Sequence, residues 1–462
     1  MYKKKAHIHF VGIGGIGMSG IAKILRFQGY KISGCDLDTN KKSVKELQEI
    51  NCSIFQGNNT DGCKDSTIDI LVYSSAIKKN NPEILHAQKL NIPIIPRAIM
   101  LAELMRTKYS LAIAGSHGKT TTTSLTSHIL IEAGIDPTVV IGGHLKNIST
   151  NARFGKGNFL VAEADESDKS LLHLQATLAV ITNIDLEHLE TYKNIEEVKT
   201  TFKQFLNNLP FYGKAIVCID DPHIQSILPL SHINIIRYGT TEKADIYAKN
   251  ITLQPDHSIF ELFIKTKTTT ISDTITITMP GHHNVLNSLA AIALALELNV
   301  PLKTIKEALL TFKGIERRFS YNGLFKGAEL FDDYGHHPTE IMHTLKTAKK
   351  RAKKNITVVF QPHRYSRTAA LWNDFVSVFA KSSINRLIIT DIYPASEPPI
   401  ENITSKNLIS AIKKVNPDIN IQYAPFEDSF AQIKQAVESN IKENDLILLL
   451  GAGKINQFKK LI

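Results

Sequence analysis

The run His7-Ile-His-Phe-Val11-Gly12-Ile-Gly14-Gly15-Ile16-Gly17-Met-Ser-Gly20 decides how the chain begins to fold. Leu111-Ala-Ile-Ala114-Gly115-Ser116-His117-Gly118-Lys119-Thr120-Thr121-Thr-Thr123 repeats its logic further along. Each is an apolar strand, a glycine-rich turn and a helix start, an order that aims the free N–H groups of a helix N-terminus at an anion. In the first run Gly12-x-Gly14-x-x-Gly17 is followed by Asp36, 19 residues beyond Gly17, which is the dinucleotide-binding spacing. Nicotinamide is not implied, because any nucleotide diphosphate satisfies the same donors. In the second, Gly118-Lys119-Thr120 matches the end of a phosphate loop: backbone N–H groups cradle phosphate, Lys119 supplies a point charge and the Thr120 hydroxyl suits Mg²⁺. The loop is shortened, since Ile113 stands where the usual pattern has its first glycine.

Working outward, short apolar runs alternate with helix-period segments along all 462 residues, the signature of βα units and parallel sheets. Length predicts about three domains. The expected fold is α/β: a Rossmann-like domain over 1–106, a central P-loop ATPase-like domain over 107–315, and a Rossmann-like C-terminal domain over 316–462. The central domain has a mostly parallel sheet, with a small antiparallel insert where Ala244–Thr278 turns to Thr-rich alternation. The net charge of +10 comes from dispersed lysines with no aromatic-interleaved basic motif, which argues against nucleic acid. Four cysteines without metal or paired spacing read as reduced thiols. Lys3-Lys4-Lys5 mimics the start of a signal peptide, but the apolar stretch behind it is broken by five glycines. No run approaches the ~18 apolar residues of a membrane span, so a cytoplasmic protein with no membrane partner is expected. Two nucleotide-type loops on separate domains exceed what a dehydrogenase needs.

Further motifs complete the pattern: Tyr73-Ser74-Ser75-Ala76, Glu163-Ala-Asp165-Glu166-Ser-Asp168, Thr182-Asn-Ile-Asp185 leading to His188, and His283-Asn284-x-x-Asn287. Arg317-Arg318-Phe319, Asp332-Asp333-Tyr-Gly-His336-His337-Pro338 and Gln361-Pro-His-Arg364-Tyr-Ser-Arg367 follow. Together with the shortened loop they resemble the Mur ligases over essentially the whole chain. The resemblance implies an ATP-dependent, amide-forming ligase of peptidoglycan precursor synthesis, and within the family the member that joins L-alanine to the lactyl carboxylate of UDP-N-acetylmuramate. ATP and Mg²⁺ are the implied cofactors, with Mn²⁺ an alternative, and a monomer or homodimer is expected.

Residue by residue, the resemblance assigns the UDP-substrate to Gly12, Gly14, Gly15, Ile16, Gly17, Asp36, Ser74 and Ser75. It assigns ATP to Gly115, Ser116, His117, Gly118, Lys119, Thr120, Thr121, Asn287, Arg318 and Asp333, and metal to Thr120 and Glu163, with a second metal near His188. Lys119, Glu163, His188, His336, Arg364 and Arg367 form the expected catalytic set; the two arginines, three apart, are expected on one helix face for carboxylate or phosphate recognition. Three positions depart from the family pattern: Glu187 where Asp is common before the histidine, Ser396 where Gly is usual, and Lys454 after Gly453. The competing readings are the family's peptide-adding ligase of cell-wall recycling, a nicotinamide-dependent oxidoreductase, which leaves Gly115–Thr123 unexplained, and a catalytically silent nucleotide-binding protein.

Overall fold

The strands that the sequence makes continuously apolar are those buried on both faces, as parallel sheets covered by helices require. In a computed structural model of the chain, residues 6–461 are described apart from 58–61, 63–64, 75, 146–149, 189, 231 and 396. Ser75 and Ser396 therefore lie outside the described residues.

Three sheets follow one another. The first contains β1 (His7–Val11), β2 (Lys31–Asp36), β3 (Ser53–Gln56), β4 (Ile70–Tyr73) and β5 (Ile94–Pro96) in the order β3-β2-β1-β4-β5. Its pairs are all parallel, and it is joined by α1 (Ile16–Phe27), α2 (Lys42–Glu49), α3 (Pro82–Lys89) and α4 (Arg97–Met105). The second carries β6 (Tyr109–Ala114), α5 (Lys119–Glu132), β7 (Thr138–Leu145), β8 (Thr150–Arg153), β9 (Phe159–Glu163), β10 (Leu178–Ile181), α6 (Ile195–Asn207), β11 (Lys214–Cys218), α7 (Pro222–Ser226) and β12 (Asn234–Gly239). Then come β13 (Ile246–Leu253), β14 (Ser258–Lys265), β15 (Thr270–Ile277), α8 (His282–Glu297) and α9 (Leu302–Thr311). The ten strands run β15-β14-β13-β12-β11-β10-β6-β9-β7-β8. The short loops joining β13, β14 and β15 permit only antiparallel pairing, so the Thr-rich insert is the expected meander.

The third sheet, β16-β17-β21-β18-β19-β20, is built from β16 (Ser320–Phe325), β17 (Ala328–Asp333), α10 (Pro338–Arg351), β18 (Ile356–Phe360), α11 (Tyr365–Ala370), α12 (Trp372–Ala380), β19 (Arg386–Ile389), α13 (Ser405–Val415), β20 (Ile421–Tyr423), α14 (Ala431–Glu438) and β21 (Leu446–Leu450). Only β16–β17 is antiparallel. Strand alternation divides its core: Val358, Phe360 and Leu448 pack with Ile341, Phe375, Phe379 and Leu408 on one face, while Val359, Ile447 and Leu449 pack with Ile433, Val437 and Phe458 on the other.

The sheets fall into two compact units, one of Met1–Asn250, Phe260–Thr276 and Asn284–Lys313, the other of Ile251–Ile259, Ile277–His283 and Gly314–Ile462. Strands β3, β7, β8, β12 and β16 escape the sequence reading. The clearest is β8, Thr150-Asn-Ala-Arg153, which has no apolar run and is a strand because it pairs with β7. Among the described residues no helix is long and apolar enough to cross a membrane. The expectation of reduced cysteines holds for the free thiols of Cys52 and Cys218. It fails at Cys35, which is disulfide-bonded, because spacing along the chain does not report proximity across a fold.

Candidate active site

Strand β6 delivers the phosphate loop, and the strand beside it holds the loop in shape. Gly115 and Gly118 take φ values of +129° and +82°, where a side chain is strained. A Cβ on Gly118 would also collide with the Asn287 carboxamide. Past β10, His117 N–H donates to Asn183 Oδ1 at 2.8 Å, the Thr182 hydroxyl donates to His117 O at 2.6 Å, and Asp185 N–H donates to Ser116 Oγ at 2.8 Å. The His117 ring sits 2.9 Å from Asp185. Ser116 and His117 thus scaffold the loop with backbone as well as side chain, both of their N–H groups donating to Asn183, and the donors left to a ligand are those of the first turn of α5, which have no intrahelical acceptor.

Lys119, the first residue of α5, folds back over this loop. Its ammonium donates to Gly115 O at 2.5 Å, Ser116 O at 3.1 Å and Glu166 Oε1 at 2.8 Å. Burial opposes its charge, but Glu166, Asp165 and Glu187 outweigh that and hold the ammonium well above its ordinary pKa. Glu163, at the end of β9, accepts from Gly142 N–H at 2.9 Å. Burial raises its pKa against the pull of Gly142, Lys119 and the Thr120 hydroxyl.

The candidate metal residues fall into two groups. Glu163 and Thr120 are neighbours, whereas His188 gathers with Glu166 and Glu187, their ligand atoms all within 4.8 Å of one another. His188 Nε2 lies 3.5 Å from Glu166 and 3.7 Å from Glu187. Burial disfavours its charge, yet hydrogen bonds to Glu166 and Glu190 push its pKa up to about 9. Its backbone is left-handed, φ 54°, a strain that persists only where surroundings impose it. Glu187, a departure from the family pattern, is therefore a member of the cluster. This oxygen-rich set with one imidazole suits a hard divalent cation, with Mn²⁺ tolerated.

In the first sheet, Gly12 and Ile13 N–H groups both donate to Cys35 O, and Gly15 N–H donates to Gly12 O. Asp36, expected to bind the UDP-substrate, is engaged by its own loop: it accepts from Gly14 N–H and from Lys41 Nζ, each at 2.8 Å. The donors left to an anion are those of Ile16, Gly17 and Met18 in the first turn of α1, which have no intrahelical acceptor. Arg97, which sequence reasoning missed, reaches this turn. A Cβ on Gly17 would meet its guanidinium at 3.2 Å, and its Nη2 lies 3.5 Å from Asp165. Ser74 faces the loop near Gly12. Asn287, at 6% exposure, spends its carboxamide on Thr122 and Asn284 rather than on solvent.

The C-terminal unit brings its three motifs together. Asp333 is fully engaged, accepting from Phe319 N–H and Gly335 N–H at 2.8 Å and from the Thr344 hydroxyl at 3.1 Å. Arg318 pairs with Glu340 at 3.2 Å between two left-handed residues, Arg317 and Phe319. Arg317 clasps the late glycine turn through Gly451 O at 2.6 Å. The His336 ring is kept neutral, burial holding it well below its ordinary pKa, and the backbone N–H of His336 donates to Glu340 at 3.1 Å. His363 stacks on Tyr393 with centroids 5.5 Å apart, and burial with Arg367 and Arg364 lowers its pKa to about 4. The shared helix face expected for the two arginines is overturned. Arg364 precedes α11 with φ 70°, because its N–H is drawn to Tyr393 O at 2.8 Å, and its guanidinium lies 3.7 Å from Glu397. Arg367, inside the helix, turns to His363 Nδ1 at 3.2 Å.

Three family models match this chain: the Mur ligase family catalytic domain over residues 7–109, the Mur ligase middle domain over 113–295, and the Mur ligase glutamate ligase domain over 317–453. The chain is 48% identical to the UDP-N-acetylmuramate–L-alanine ligase of Geotalea uraniireducens, across 99% of this chain and 97% of that one. It is 45% identical to the protein of the same name from Syntrophus aciditrophicus, across 99% and 92%. Among solved structures it superposes on the UDP-N-acetylmuramate-alanine ligase MurC of Thermotoga maritima with a TM-score of 0.80 at 26% identity, covering 98% of this chain and 97% of that one. A murein peptide ligase from Psychrobacter arcticus shares the fold, with a TM-score of 0.73 at 24% identity over 99% and 98% of the two chains. With family models matched from residue 7 to residue 453 and relatives near half-identical over its length, the chain belongs to the Mur ligase family.

Proposed function

We propose that the chain joins L-alanine to the lactyl carboxylate of UDP-N-acetylmuramate at the expense of ATP, through an acyl phosphate. The observation that carries this reading is the Lys119 ammonium, folded onto the phosphate loop 2.8 Å from Glu166 beside Glu187 and His188. The alanine choice is supported by relatives 45–48% identical over 99% of the chain that bear that name. The peptide-adding alternative is supported only by shared fold.

A carboxylate is a poor acyl donor, and it is activated when one of its oxygens bonds to the γ-phosphorus while the bond to ADP breaks. The carboxylate is already ionised, so this step needs positioning and charge neutralisation rather than a base. Lys119 and the N–H groups of the first turn of α5, where the Gly115–Thr120 loop enters the helix, neutralise the β- and γ-phosphate oxygens. Thr120 with Glu163, and Glu166 with Glu187 and His188, would hold divalent cations, whose chemistry is further neutralisation of those oxygens. The neutral amine of alanine then attacks the acyl carbon, and phosphate leaves with the transferred oxygen. The UDP-sugar is assigned to residues 1–106, through the first turn of α1, Ser74, Ser75 and Arg97, and ATP to residues 107–315. Arg364 and Arg367 of residues 316–462 recognise the anionic acyl phosphate.

With ¹⁸O in the lactyl carboxylate, one label should appear in inorganic phosphate and the other in the new amide. Labelled AMP with release of pyrophosphate would refute the acyl phosphate.

A further inference from the structure

Helix α1 supplies the first-turn donors on which the UDP-substrate reading rests, yet the residue that holds this turn comes from another sheet. Asn151, on β8, is fully buried. Its Nδ2 donates to Ile16 O at 2.5 Å and to Ser19 Oγ at 3.0 Å, while its Oδ1 accepts from Lys23 Nζ at 3.1 Å. The orientation of the carboxamide is dictated by chemistry. An ammonium is donor-only, so the oxygen must face Lys23 and the NH₂ must face the Ile16 carbonyl. Gly20 admits this approach, since a Cβ there would meet Ala152 at 3.3 Å and Asn151 at 3.4 Å.

We infer that Asn151 is a positioning residue for the diphosphate of the UDP-sugar, acting through the Ile16–Gly17 peptide unit; this deepens, and depends on, the UDP reading above. The carbonyl of Ile16 and the N–H of Gly17 belong to one planar amide. A hydrogen bond received at the oxygen fixes the tilt of that plane and polarises the N–H at its other end, making Gly17 a stronger donor. Ser19 adds to the same acceptor, its hydroxyl donating to Ile16 O at 3.0 Å. A strand of the ATP-binding sheet thereby sets the geometry of the UDP loop.

Asn151→Asp isolates the effect. It preserves shape and gives Lys23 a stronger partner, but it places an acceptor against the Ile16 carbonyl. Calorimetric titration of the full-length variant with UDP should show binding weakened by about tenfold, with the KM for the UDP-sugar rising in step. The KM for ATP, and kcat at saturation, should stay within about twofold. Ser19→Ala, which keeps Asn151 in place, should weaken UDP binding by about threefold in the same direction. Unchanged UDP affinity in both variants, or equal losses for UDP and ATP, would overturn the inference. If wild-type protein does not bind UDP at all, the UDP reading itself fails and the inference with it.

Discussion

Lys119→Met tests the electrostatic core of the site, and its consequence extends beyond lost activity. Glu166 is 1% exposed, and Lys119 lies 2.8 Å from its carboxylate with Asp165 and Glu187 also acting on that ammonium. Removing the cation leaves the buried Glu166 and the neighbouring Glu187 with His188, 3.5 Å from Glu166, as the cationic partner. Breaking a buried pair costs about 3–5 kcal/mol; the side chain of Lys119 is 16% exposed, so we take about 3 kcal/mol, a fall in Tm of roughly 6–12 °C. The sign with pH follows. The lost cation matters least where carboxylates are protonated, so the deficit should be smallest at the acid end and grow as pH rises. Urea unfolding between pH 5 and 8, alongside UDP binding and turnover, reads all of this. Turnover should vanish while UDP binding persists, because the two loops lie on different sheets. The double variant Lys119→Met with Glu166→Gln should recover most of the stability and none of the activity. If Lys119→Met is as stable as wild type at pH 8, the ammonium is not the counterion of this cluster.

Other outcomes follow from the same geometry. Arg364→Ala and Arg367→Ala should each reduce kcat/KM for the UDP-sugar by about tenfold or more with little change in ATP binding, and wild-type kinetics in both would make them ordinary surface residues. His363, with pKa lowered to about 4, and His283, lowered to about 3 by burial, His343 and Arg318, are kept neutral. Their stabilisation is complete above the unfolded histidine pKa and is lost as pH falls toward the folded values. Each should therefore cost about 2 kcal/mol between pH 7 and pH 5, and His363→Gln should flatten that decline in a pH series of unfolding curves. Activity should disappear on chelation and return with Mg²⁺ or Mn²⁺, the latter because imidazole at His188 suits it; turnover undiminished by chelator would remove Thr120, Glu163 and His188 from a metal site.

What the sequence alone determined were features that depend on neighbours along the chain. Continuous apolar runs such as Leu178–Ile181 and Leu446–Leu450 mark strands buried on both faces. Glycines at Gly115 and Gly118 mark turns that a side chain would strain, and the strand–glycine–helix order locates both nucleotide loops. The α/β fold was legible on these grounds, and the family through the resemblance that its motifs carry.

Only the tertiary structure decided which side chains meet. Glu187 reads as a departure until the β10 loop brings it to His188 and Glu166. Arg97 looks like a helix start until its guanidinium is seen between Gly17 and Asp165. Arg364 and Arg367 share a helix face by spacing, but the pull of Tyr393 O places Arg364 outside the helix. Thr150–Arg153 has no strand pattern and becomes β8 because β7 supplies its hydrogen-bond partners, bringing Asn151 against α1. In each case the deciding energy is a hydrogen bond or ion pair to a residue distant in sequence, and a pairing of that kind leaves no periodicity in the chain from which it can be read.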